Sequence, residues 1–159
     1  MAGGISITSR NNDAADRYLS TRTLIELDSA CEALKDLFAM HYAGYGLSRV
    51  KFNALIQLHM AGEGGLNQSE LGKKLQVSRA NITGLIERLE KEGLISRRYD
   101  PADKRAFLVC LTDRAALLMK HFLPRHNDFV HQVMSVLDRR EREQLISLLQ
   151  KLNKGLESI

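Results

Sequence analysis

A mainly α-helical fold with one small β-hairpin follows from three observations. Apolar residues recur at intervals of three and four from Leu24 to Leu156, the period of one buried helix face. Two of the helical runs are joined by only three residues, Gln76-Val77-Ser78. The second run is followed at once by LISRRY and AFLVCLT, segments of strand composition separated by the polar turn DPADKR.

Taken in order, the opening MAGGISITSRNNDAAD is rich in Gly, Ser and Asn without a sustained apolar period, so residues 1–16 are expected to form a flexible tail. From about Arg17, Leu24, Leu27, Cys31, Leu34 and Phe38 define a helix reaching about His41, and the two glycines of HYAGYGLS end it. Ser48 can cap a second helix carrying Phe52, Leu55, Ile56 and Leu58, closed by the loop GEGG. Asn67 with Glu70 three residues later is a capping-box start, with Asn in place of Ser or Thr, for a short helix ending near Leu75. Ser78 caps the next helix, which turns Ile82, Leu85, Ile86 and Leu89 inward and stops at Gly93, where left-handed geometry is needed.

Thr112 and Asp113 open a longer helix through Leu117, Leu118, Phe122, Phe129, Val133 and Val136. Pro124 is expected to bend it near His121 without dividing it. Asp138, again with a Glu three residues on, starts a last helix that should bury Leu145, Leu148, Leu149, Leu152 and Leu156.

The chain has 159 residues, a formal net charge of +4, 44% hydrophobic and 26% charged residues, and a pI near 9.2. This is an ordinary globular profile, with a basic balance that suits a polyanionic partner. No apolar run approaches the roughly 20 residues of a membrane span, and the start lacks the pattern of a signal peptide, so the expected location is the cytoplasm. Cys31 and Cys110 have no metal-ligand spacing. His121, His126 and His131 are each five residues apart, about 140° around a helix, and cannot share a metal. With no phosphate loop, nucleophile elbow, HExxH or dinucleotide fingerprint, neither an enzyme nor a cofactor is expected.

Two helices around a three-residue turn, followed by a basic hairpin, have the layout of a winged helix-turn-helix. With its apolar side inward, the second helix presents Arg79, Ala80, Thr83 and Glu87 outward, flanked by Asn81, Gly84 and Arg88. In a major groove Arg79 would fork onto guanine, Asn81 onto adenine, and the Thr83 methyl would meet a thymine methyl. Each good bidentate pair gives about 1–3 kcal/mol of discrimination. A lone helix of this kind would more often be a solvated face, but the cap, turn and hairpin around it favour the groove. Gly84 costs about 1 kcal/mol in mid-helix, which a close approach of DNA backbone or of a neighbouring helix would explain. Amides at the helix starts near Asn67 and Ser78 are suited to phosphate contacts.

The run NQSELGKKLQVSRANITGLIERLEKEGLISRRYDPADKRAFLVCLT resembles the DNA-binding core of the MarR family of multiple antibiotic resistance regulators. The short helix, the recognition helix with its LEKEGLI-like end, and the wing with D-x-R before a strand ending in Leu-Thr carry the resemblance, which extends loosely from about Arg17 to Leu156. It implies that Arg105 of Asp103-Lys104-Arg105 enters the minor groove while Asp103 steadies the wing. Arg97, Arg98 and Lys104 then hold phosphates, or else form a charged edge strand. It also implies a winged DNA-binding domain over 48–112, between dimerisation helices at 17–47 and 113–159.

A twofold dimer would cover the leucine-rich end helices and set recognition helices about 34 Å apart, over half-sites centred about 10 base pairs apart. The resemblance further implies a small phenolic or lipophilic effector. His41, Tyr42, Tyr45 and Arg49 lie where one could bind, but a packing role is expected and no effector residue is assigned. Cys31, on the apolar face, is expected to be buried and unreactive. The resulting reading is a sequence-specific DNA-binding repressor, acting on double-stranded DNA as a homodimer. The alternative is a winged-helix interaction module without specific DNA binding, which would not need Arg79 and Arg105 on one side.

Overall fold

The computed structural model describes residues 7–100 and 106–158. In chain order these form α1 (Ile7–Ala43), α2 (Arg49–Ala61), a 3-10 turn (Gly62–Gly64), β1 (Leu66–Asn67), α3 (Gln68–Leu75), α4 (Arg79–Lys91), β2 (Ile95–Tyr99), β3 (Phe107–Leu111), α5 (Asp113–Met134) and α6 (Arg139–Leu156). They divide into two compact units, one through Asn53 and the other from Ala54, with the boundary inside α2.

In the first unit α1 starts at Ile7, so residues 7–16, expected as part of a flexible tail, are helical. From Ile7 onward this stretch has no glycine or proline, and extending an existing helix fixes only one residue per added bond. The apolar period of α1 is as expected but its burial is not: Leu27 and Phe38 are half-buried, whereas Leu24, Leu34 and Cys31 are exposed. Periodicity identifies the face that needs cover without saying whether its own chain supplies it. Packing concentrates at the C-terminal end, where Tyr42 is buried and stacks on Phe52 at 5.2 Å between ring centroids. His41 lies against Tyr42 and Tyr45 at 5.9 and 5.7 Å.

Burial lowers the His41 pKa from its ordinary value of 6.5. The folded chain therefore binds fewer protons there than the unfolded chain, and its stability falls as pH drops below the unfolded value. Acidification from about pH 7.5 to pH 5.5 is expected to lower the melting temperature of the wild type more than that of His41→Gln.

The second unit is punctuated by side-chain caps. Asn67 Oδ1 accepts from the Glu70 amide at 2.9 Å while Glu70 Oε2 accepts from the Asn67 amide at 3.0 Å. Ser78 Oγ accepts from the Asn81 amide at 3.3 Å, Thr112 Oγ1 from that of Ala115 at 3.2 Å, and Asp138 Oδ1 from that of Glu141 at 2.9 Å. The expected stop at Gly93 has φ 67°, with Gly93 N donating to Glu90 O and Leu94 N to Leu89 O, both at 2.9 Å. That pair of bonds is a Schellman ending.

The turn between α3 and α4 closes in the same way, with Val77 N bonding Gly72 O and Gln76 N bonding Lys73 O, both at 3.1 Å. Here the left-handed position, φ 53°, is occupied by Gln76. A residue with a Cβ pays about 1–2 kcal/mol there. Gln76→Gly is expected to stabilise the fold by up to about 1 kcal/mol, raising the melting temperature by about 2–4 °C.

A third strand accompanies the hairpin. β1 pairs antiparallel with β3 (Leu66 opposite Val109, Asn67 opposite Leu108), so β3 is central in the order β1-β3-β2. Two residues are too few to show a period-two pattern in sequence. Behind the sheet Ile82, Leu85, Ile86 and Leu89 of α4 are buried with Leu71, Ile95, Val109, Met119 and Phe122. α5 runs through Pro124 as one helix. On α6, by contrast, Leu145, Leu148, Leu149, Leu152 and Leu156 are all exposed within the single chain, so their expected burial is not supplied by this chain itself. Among the described residues no helix is long and apolar enough to cross a membrane.

Candidate nucleic-acid interface

The amphipathic pattern of α4 settles which way its polar side faces. With Ile82, Leu85, Ile86 and Leu89 buried, Arg79, Ala80, Asn81, Glu87 and Arg88 are exposed. Ser78 ends the turn and fixes the first helical turn, so Arg79 is the first helical residue and stands at its tip. A Cβ at Gly84 would meet nothing within 4 Å, which removes the neighbouring helix as an explanation for that glycine. The space it leaves is open to a partner.

Thr83 sits closer to the body of the protein. It is half-buried, its hydroxyl donates to the Arg79 carbonyl at 2.9 Å and accepts from Gln68 Nε2 at 2.6 Å.

On the wing, Arg97 and Arg98 are both exposed and both engaged within the chain. Arg97 Nε pairs with Glu90 Oε2 of α4 at 3.2 Å. The Arg98 guanidinium donates to the Glu63 carbonyl in the 3-10 turn. Tyr99 and Phe107 face each other across the strands with centroids 4.7 Å apart. Asp103, Lys104 and Arg105 lie outside the described residues.

Between α3, the start of α4 and the sheet runs an open groove of ≈ 690 Å³, onto which Lys73, Arg79 and Arg97 present three cations and Gln68 and Gln76 two amides. Glu90 is the acidic group that competes for Arg97. An exposed ion pair of this kind contributes about 0.2–1 kcal/mol. Glu90→Gln is therefore expected to release Arg97 and tighten DNA binding by about two- to fivefold, with a steeper salt dependence. Gln68, Glu90 and the Glu63 carbonyl had no signal in the sequence, because each acts through a partner distant along the chain. Among the described residues no group of His, Cys, Asp and Glu side chains is arranged to hold a metal ion. His126 is buried against Phe122 with centroids 5.2 Å apart, whereas His121 and His131 are exposed.

A capped helix-turn-helix backed by a three-stranded sheet, with an exposed polar face on its second helix, defines a winged helix-turn-helix protein. The sequence profile of the MarR family matches residues 47–107. The chain is 31% identical over 137 residues to the HTH-type transcriptional repressor YetL of Bacillus subtilis, covering 86% of this chain and 82% of that protein. It is 32% identical over 114 residues to the transcriptional repressor MprA of Escherichia coli, covering 72% and 65% respectively. Among solved structures, a MarR family transcriptional regulator of Streptomyces coelicolor in complex with DNA is 28% identical with a TM-score of 0.74, covering 89% of this chain and 92% of that one. A probable transcriptional regulator of Pseudomonas aeruginosa is 32% identical with a TM-score of 0.71, covering 84% and 98%. The chain belongs to the MarR family of transcription regulators.

Proposed function

We propose that the protein is a sequence-specific DNA-binding repressor which, as a homodimer in the cytoplasm, occupies an inverted-repeat operator and is released by a small phenolic or lipophilic effector. The observation that carries the DNA-binding part is the exposed Arg79–Asn81 turn at the start of α4, set beside a groove lined by Lys73 and Arg97. A helix presented this way places side chains at base edges while its neighbours take phosphates. In this reading Ser78 orients the helix start, Arg79 and Asn81 read bases, and Arg88, Arg97, Arg98, Lys104 and Arg105 meet the DNA, with Asp103 steadying the wing. The relatives named as repressors, and the homologous regulator solved with DNA, support it.

The homodimer is supported by apolar surface that the chain leaves uncovered. α6 exposes Leu145, Ile146, Leu148, Leu149, Leu152 and Leu156 over most of its length, and α1 separately exposes Tyr18, Leu19, Leu24 and Ile25. Soluble monomers seldom present contiguous apolar surface on this scale. These helices belong to the segments 17–47 and 113–159 assigned to dimerisation, with 48–112 left for DNA.

The combined test is sedimentation of the wild type and of Leu149→Glu/Leu152→Glu, followed by hydroxyl-radical footprinting on the DNA upstream of the protein's own gene. Expected are a wild-type dimer protecting two half-sites about 10 base pairs apart, and a variant that sediments as a monomer and protects neither. A dimer that protects no DNA would favour an interaction module instead, and a wild-type monomer would overturn the homodimer.

A further inference from the structure

We infer that Gln68 is a positioning residue for sequence reading: through Thr83 it fixes the first turn of the recognition helix α4, and with it the placement of Arg79. This rests on the DNA-binding reading above. Gln68 Nε2 donates to Thr83 Oγ1 at 2.6 Å, and Thr83 Oγ1 donates to the Arg79 carbonyl at 2.9 Å. The hydroxyl thus spends its single proton on the backbone of Arg79 and a lone pair on Gln68. Both side chains are half-buried, so the relay is partly shielded from competing water.

Its two ends are themselves fixed. Gln68 is the first residue of α3 and lies inside the capping box, whose two reciprocal hydrogen bonds between Asn67 and Glu70 bracket it. Arg79 is the first residue of α4, directly after the Ser78 cap. Deeper between the same two helices Gly72 meets Ile82, whose side-chain atoms lie 3.5–3.8 Å from where a Gly72 Cβ would stand. The buried apolar side of α4 sets which way the helix faces, and the polar relay adds a directional constraint at its first turn, on the Arg79 carbonyl itself. Bidentate base contacts tolerate small misplacement poorly, whereas phosphate contacts by long flexible cations tolerate it well. The relay is accordingly expected to act on discrimination between sequences and to leave non-specific affinity alone. Thr83 then serves through its hydroxyl, and its methyl contact with a thymine is not needed.

The test compares full-length wild type, Gln68→Ala, Thr83→Val, Thr83→Ser and the Gln68→Ala/Thr83→Val double variant on two probes. One is the duplex that the wild type selects from a random-sequence pool, and the other is a scrambled duplex of the same composition, each measured over a salt series. Thr83→Val and Gln68→Ala should each lose on the order of tenfold on the selected duplex and nothing on the scrambled one, with an unchanged salt slope. The double variant should lose no more than either single change. Thr83→Ser keeps the hydroxyl and should bind as the wild type does. Parallel losses on both duplexes, a Thr83→Ser that behaves like Thr83→Val, or variants equal to wild type would each overturn the inference. A wild type that selects no preferred duplex would overturn the DNA-binding reading and this inference with it.

Discussion

Arg79→Ala is expected to weaken binding to the preferred duplex by roughly ten- to a hundredfold while changing binding to random duplex only slightly, the loss of one bidentate base contact. Arg79 is the place for such an effect because three local features converge on it. The Ser78 cap fixes the backbone at the helix start, the buried Ile82 and Leu85 set which side of α4 faces out, and the Thr83 hydroxyl holds the Arg79 carbonyl at 2.9 Å. Arg79→Lys keeps the charge but not the planar fork, and should recover phosphate affinity without recovering discrimination. Competition titrations of both variants check this: equal losses on preferred and random duplex would reduce Arg79 to a phosphate contact.

Gly65→Ala should be the most damaging small substitution in the winged domain, costing about 2–6 kcal/mol and lowering the melting temperature by roughly 5–20 °C. Gly65 has φ 66° and ψ −170°, a region that residues with a side chain adopt only under strain. A Cβ there would also stand 2.6 Å from Cys110 Sγ and 2.7 Å from the Val109 carbonyl oxygen. The sulfur can be removed and the carbonyl cannot. Adding Cys110→Ala should thus restore only part of the loss, whereas full restoration would mean that the backbone approach between Gly65 and β3 is looser than described. A Gly65→Ala protein that melts like the wild type would remove the case for the short strand β1 beside β3.

The helix starts and the turn of the DNA-binding core were legible because each rests on chemistry confined to a few neighbouring residues. Asn67, Ser78, Thr112 and Asp138 all cap as their sequences suggest, and Gly93 takes the left-handed conformation expected of it. The inward face of α4 followed from period alone. What the sequence concealed depends on contacts between distant positions. Leu66 became a strand because β3 lies beside it. Arg97 faces Glu90, and Gln68 reaches Thr83. The exposed leucines of α6 and the exposed Cys31 mark a different limit, since an apolar period says that a face needs cover but not which chain supplies it. The start of α1 at Ile7 was missed because Asn, Ser and Asp disfavour a helix only mildly, by a few tenths of a kcal/mol each, and an adjoining helix overrides them.

The central claim, that this chain reads DNA sequence through the start of α4, is tested most directly by fluorescence anisotropy. The purified protein would be titrated against duplex from its own upstream region and against random duplex, at several salt concentrations. The account predicts tight, salt-dependent binding to the upstream duplex, at least about a thousandfold stronger than to random sequence. Equal and weak binding to every duplex would contradict it and leave a winged-helix module that serves protein interaction alone.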